Sequence, residues 1–203
     1  MALPFTIENI IQLFSLFSPL FLGTFLVLVS VFNQNLKGII YLSGVLFTSI
    51  FCYGISTVIN NPRDIANEGV ICNLIDLPWV SNLYNVPNFN SVFISFTFIY
   101  LLLPMLVNNQ INFIILGVIV SLFVVDAYVK VNNKCTPGLR GIGYGFILGL
   151  AFGILWYLLF KITGNEKFLF FNDLTSNNVV CNRPANQTFK CSVYKNGQIV
   201  SEL

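Results

Sequence analysis

Histidine does not occur in this 203-residue chain. Imidazole is the usual general base, proton shuttle and transition-metal ligand near neutral pH, so every mechanism that needs it is excluded for these residues. Charge is nearly as scarce. Asp, Glu, Lys and Arg make up 9% of the chain, against about 25% in an ordinary soluble domain. The net charge of +2 is spread thinly, with no basic cluster to track a phosphate backbone, which removes nucleic acid as a partner. The five cysteines show no C-x-x-C spacing, and without histidine they give zinc little support. No metal and no cofactor is expected. Lys and Arg are also missing before the first apolar run, and no small-residue cleavage site follows it. That run therefore reads as a retained helix and not as a signal peptide.

What is present is apolar length. Hydrophobic residues make up 56% of the chain and the mean hydropathy is +0.79. A hydrocarbon core about 30 Å thick needs about 20 helical residues. The runs 10–32, 39–59, 89–107, 111–129 and 142–162 each approach that length, and none carries more than one charge. The expected fold is an all-α transmembrane five-helix bundle over residues 1–162. An extramembrane tail, 163–203, follows it. Asp126 is the single acid and Lys161 the single base of these spans, fewer charged groups than ion-coupled transporters keep at membrane depth. A transporter would need an inverted repeat or broken helices, and no convincing repeat is seen.

Counting spans assigns the loops to two compartments. Side A holds residues 1–9, the long 60–88 segment and the 130–141 loop; side B holds the turns at 33–38 and 108–110 and the tail. Side A carries Arg63, Lys130, Lys134 and Arg140 near the spans, and side B carries Lys37, Lys161 and Lys167. Four against three leans side A towards the cytosol but is too even to fix orientation. The 60–88 segment is long for a helix connection. With Pro78, Trp79 and Tyr84 it reads as an interfacial segment, a ligand-binding or re-entrant loop being the alternative.

In the last span Gly141, Gly145, Gly149 and Gly153 recur every four residues. This small-xxx-small ridge lets a second backbone approach closely, either another span of the chain or a partner helix in a homo-oligomer. Asp126 stands four residues before Lys130, so a local ion pair snorkelling to the interface is expected, with a substrate or proton site as the sharper alternative. In the tail, residues 188–194 alternate, and Asn196-Gly197 is a strong signal for a type I′ hairpin turn. Phe168 to Phe171 is an apolar patch suited to a bilayer surface or a neighbour. Cys181 and Cys191 are either a disulfide, worth about 2–3 kcal/mol to so small a module, or free thiols. Cys72 and Cys135 share side A, which permits a bridge without requiring one. Asn186-Gln187-Thr188 has the form of an N-glycosylation acceptor.

Residues 60–162 resemble the type 2 phosphatidic acid phosphatase superfamily, whose members dephosphorylate lipids through a phosphohistidine. Pro62-Arg63 is a reversed trace of its first motif. Pro87-Asn88-Phe89-Asn90 stands where the second would lie. In the third, Lys130 falls at the phosphate-binding arginine, Thr136 at the nucleophilic histidine and Arg140 at the orienting aspartate, and Gly141, Gly145 and Gly149 match the closing glycines. The resemblance implies the helical scaffold. The chemistry needs one histidine to attack phosphorus and another to protonate the leaving group, and neither is present. What is left is lipid headgroup binding by Arg63, Lys130 and Arg140.

The Phe-, Asn- and Ile-rich composition, with the ending Cys181-Asn182-Arg183-Pro184 to Cys191-Ser192-Val193-Tyr194-Lys195-Asn196-Gly197, resembles multispan membrane proteins of large double-stranded DNA viruses. That resemblance implies a minor capsid-associated structural protein of the virion inner membrane. The reading taken forward is non-enzymatic, with membrane lipids around the spans and membrane or capsid proteins meeting the tail and the 60–88 segment. The alternative is a lipid-handling protein of degenerate phosphatase-like fold.

Overall fold

The computed structural model describes residues 6–62, 72, 84, 86–170, 192–195 and 198–202. Its helices are α1 (Ile7–Phe32), α2 (Lys37–Ile59), α3 (Phe89–Val107), α4 (Phe113–Asn132) and α5 (Leu139–Ile162), followed by a 3-10 turn at Glu166–Phe168. All five helices are long and apolar enough to cross a bilayer. The chain is an integral multi-pass membrane protein. Several helices outrun the apolar runs that mark them, because hydropathy sets a minimum length and capping sets the ends. Thr6 accepts from the Asn9 amide to start α1, and Asn112 accepts from Ile114 and Ile115 to start α4, as N-caps do.

Asparagine ends three of the helices in the same way. Asn33, Asn108 and Asn133 each return their side-chain amide to the carbonyl four residues back, Val29, Pro104 and Val129, at 2.8, 2.8 and 2.9 Å. The residue after each, Gln34, Asn109 or Lys134, takes a left-handed φ of 50°, 53° or 56°. This satisfies carbonyls that the helix leaves open and turns the chain out of the membrane. Within the spans, hydroxyls exposed on the outer faces bond back to their own helix. Thr24 Oγ1 donates to the Leu20 carbonyl and Ser121 Oγ to Gly117, both at 2.8 Å, so neither leaves a polar group unmet in hydrocarbon. Pro19 interrupts α1 without a cost in open carbonyls: it cannot donate to Ser15, and the Ser18 hydroxyl does so instead at 2.8 Å.

α3 is the central helix. Of its most apolar stretch 56% is buried in the bundle, against 22% to 33% for the other four. α5 is its main neighbour. The core gathers Leu26, Tyr41, Ile94, Phe96, Tyr100, Leu101, Met105 and Ile119. The Tyr41 and Thr97 hydroxyls share a hydrogen bond of 2.7 Å, and Phe96 and Tyr100 stack with ring centroids 5.9 Å apart. Outward faces are apolar in the way a lipid-facing surface must be, with Ile50, Val58, Ile114, Ile147 and Ile162 all exposed.

On side B the chain folds back after α5. Leu169 and Phe170 are buried in the bundle's own core at 2% and 0% exposure. These two residues of the expected surface patch are thus satisfied within the chain; Phe171 lies outside the described residues. Ser192–Lys195 and Gln198–Glu202 are short extended segments. Residues 171–191 and the Asn196-Gly197 turn lie outside the description, as do Cys181, Cys191 and Asn186, with the expected disulfide, and Pro78 and Trp79 of the long segment.

On side A, Pro62 and Tyr84 pair through an antiparallel bridge. Cys72 is joined to Cys135 of the α4–α5 loop by a disulfide, with Cα atoms 5.4 Å apart and a sequence separation of 63. The sequence had favoured Cys181 and Cys191 for a bridge and left this pair open. Sharing a compartment was all that the sequence offered. The backbone adds a fixed position for Cys135, whose amide donates to the Lys130 carbonyl at 2.9 Å.

Candidate functional site

The glycines of α5 lie against the N-terminal half of α3. The Gly141 carbonyl accepts from the Asn88 amide at 3.0 Å. A methyl placed on Gly145 would stand 2.6 Å from the Asn88 carbonyl oxygen. One on Gly149 would run into Ser95 Oγ and the Val92 carbonyl, and one on Gly153 into the Ile99 side chain. The ridge is occupied by a helix of the same chain. α3 answers it with small residues: Ser91 and Ser95 are buried there, and Ser95 Oγ donates to the Ser91 carbonyl at 2.6 Å. Backbones that approach this closely gain dispersion contacts that lipid cannot offer.

Asp126 is fully buried, at 0% exposure. Its Oδ1 accepts from Ser15 Oγ of α1 at 3.0 Å and from Asn90 Nδ2 of α3 at 2.9 Å. Lys130 Nζ stands 3.9 Å from the same oxygen and donates to Asn88 Oδ1 at 3.1 Å. Asn88 is also the N-cap of α3, its Oδ1 accepting from the Ser91 amide at 3.2 Å. One carboxylate and one ammonium thus join α1, α3 and α4 at their side A ends. The ion pair expected between Asp126 and Lys130 is present as an approach and not as a hydrogen bond. The Lys130 side chain is 14% exposed, because Asn88, the N-cap at the side A end of α3, offers it an oxygen and Asp126 supplies the opposite charge. Asp126 Oδ2 has no hydrogen-bond partner among the described residues.

Of the residues proposed for headgroup binding, Lys130 and Arg140 are among the described residues. Lys130 is engaged as described. Arg140 is exposed in the first turn of α5, and Arg63 lies outside the described residues. Thr136 is buried at 5% exposure, with its hydroxyl donating to the Gly138 carbonyl at 2.6 Å. No group of His, Cys, Asp and Glu side chains suited to a metal occurs among the described residues. A small crevice between α2 and α3, lined by Val45, Thr48, Ser49, Phe89, Val92, Phe93 and Phe96, shares no residue with the cluster.

Ser15 and Asn90 are the residues that reasoning along the sequence did not assign to Asp126. Their signal was faint. Ser15, Ser18, Leu22, Leu26 and Ser30 fall on one buried face of α1, a spacing that marks an inward stripe. Asn90 sits in the first turn of a span, where an amide would otherwise meet hydrocarbon. Chemically the cluster is a charge-assisted clasp between helices. No family model, curated protein or solved structure matches this chain.

Proposed function

We propose that the chain is a non-enzymatic structural membrane protein, a five-helix core in the bilayer that presents the 60–88 segment and the tail to protein partners. The supporting observation is how the buried polar groups are used. Ser15, Asn88, Asn90, Asp126 and Lys130 bond to one another across three helices, which is what holds a scaffold together and leaves specificity to the parts that reach water. The lipid-handling alternative would need Lys130 turned towards a headgroup. Its ammonium is bonded to Asn88 instead.

The setting we propose is the inner membrane of a large DNA virus particle, with the chain linking membrane to shell as a minor capsid-associated component. Composition and the Cys181 to Gly197 ending support it. In this reading the tail carries a β-hairpin around Asn196-Gly197, and its edge strand pairs with a partner's sheet. The test is deletion of residues 181–203. The truncated chain is expected to insert into membranes as the full chain does and to be missing from the assembled particle. Incorporation at the normal level would remove the tail as the anchor.

A further inference from the structure

With the five candidate spans among the described residues taken as the crossings, the disulfide between Cys72 and Cys135 lies on one side of the membrane. α3 and α4 both lie between the two cysteines, so two crossings return the chain to the compartment it left. α5 then leads to the opposite compartment, the one to which span counting assigns the tail with Cys181 and Cys191. Structural disulfides persist in oxidising compartments and are rare where the thiol pool is kept reduced. Where a bilayer separates two such environments, a bridge on one side identifies both.

We infer that side A faces an oxidising, extracytosolic compartment and that the tail faces the reducing cytosol. Cys181 and Cys191 are then thiols, Asn186 carries no glycan, and the tail's partner is a protein met from the cytosolic side. This inference uses the five-span topology and is independent of the virion setting. It reverses the lean of the basic residues, which is a single charge: Arg63, Lys130, Lys134 and Arg140 on side A against Lys37, Lys161 and Lys167 on side B, a balance too even to direct either orientation. Bridge formation removes two protons and two electrons from the Cys72 and Cys135 thiols. Their acceptor is the disulfide of a thiol-oxidising carrier protein in that compartment, which leaves as a dithiol.

The test uses the full chain, with an epitope at its C-terminus, in sealed microsomes whose cytosolic face is outward. Added protease is expected to remove the epitope, and a membrane-impermeant maleimide is expected to label Cys181 and Cys191. Cys72 and Cys135 should be labelled only after both permeabilisation and reduction. Protection of the epitope until detergent is added would overturn the inference. So would a glycan on Asn186, or labelling of Cys72 and Cys135 in sealed, unreduced vesicles.

Discussion

Ser15 on α1 donates its hydroxyl to Asp126 Oδ1 on α4 at 3.0 Å, across a sequence separation of 111. This contact and the Asn90 bond to the same oxygen make one carboxylate the meeting point of three helices, with α1 joined to α4 across the two helices that separate them in the chain.

Replacing Asp126 should therefore cost more than replacing any residue bonded to it. Ser15→Ala removes one interhelical hydrogen bond, worth about 0.5–1.5 kcal/mol in membrane bundles. Asp126→Ala also leaves the Lys130 ammonium without its counter-charge, for which about 3 kcal/mol is expected. Lys130→Met in the Asp126→Ala background should recover part of that loss. Thermal unfolding in detergent measures all three, and equal midpoints for Ser15→Ala and Asp126→Ala would reject the clasp.

Two glycines of α5 provide a matched comparison. Gly149→Ala pushes a methyl into Ser95 and the Val92 carbonyl and should lose about 1–3 kcal/mol through overpacking. Gly143 has nothing within 4 Å of an added Cβ, so Gly143→Ala should be neutral or gain up to about 1 kcal/mol from helix propensity. Similar unfolding temperatures for the two variants would count against the ridge. Gly149→Leu should be more damaging than Gly149→Ala by the same argument.

The Cys72–Cys135 bridge closes a loop that would be worth about 4 kcal/mol in a free chain. It should be worth less here, because α3 and α4 are already held by the bilayer in the unpaired state. Cys72→Ser, Cys135→Ser and the double variant are expected to lower the unfolding midpoint by the same amount, and reductant should bring the parent chain to that value. A double variant clearly worse than either single one would mean that the thiols act separately.

Phe170 is fully buried although it follows the last span. Phe170→Ala should destabilise the bundle by about 3 kcal/mol, as emptying a core site does. A chain ending at Phe170 should keep the unfolding midpoint of the full chain, and one ending at Thr163 should not. Indistinguishable midpoints for those two truncations would place the tucked segment outside the cooperative unit.

The spans were legible in the sequence because lipid demands about 20 apolar residues in a row, a signal that needs no knowledge of neighbours. The spacing of Gly141, Gly145, Gly149 and Gly153 marked a close-packed face for the same local reason. Which helix fills it was not legible, since Ser91 and Ser95 look like ordinary span residues until α3 is set beside α5. Asp126 and Lys130 were paired by sequence distance alone. Their true surroundings depend on Asn88, Asn90 and Ser15, residues placed by the tertiary fold. Helix ends such as Thr6 and Asn132 escaped because polar caps extend a helix past the run that hydropathy detects.

The pairing of α3 with α5 also sets an order of events during synthesis. α4 enters the membrane between them, yet it is the last helix that supplies the glycines against which Asn88, Ser91 and Ser95 rest. A nascent chain halted before Leu139 holds a central helix whose most intimate surface has nothing shaped to meet it. The final span is the keystone of this bundle, and the membrane must hold four unfinished helices until it arrives.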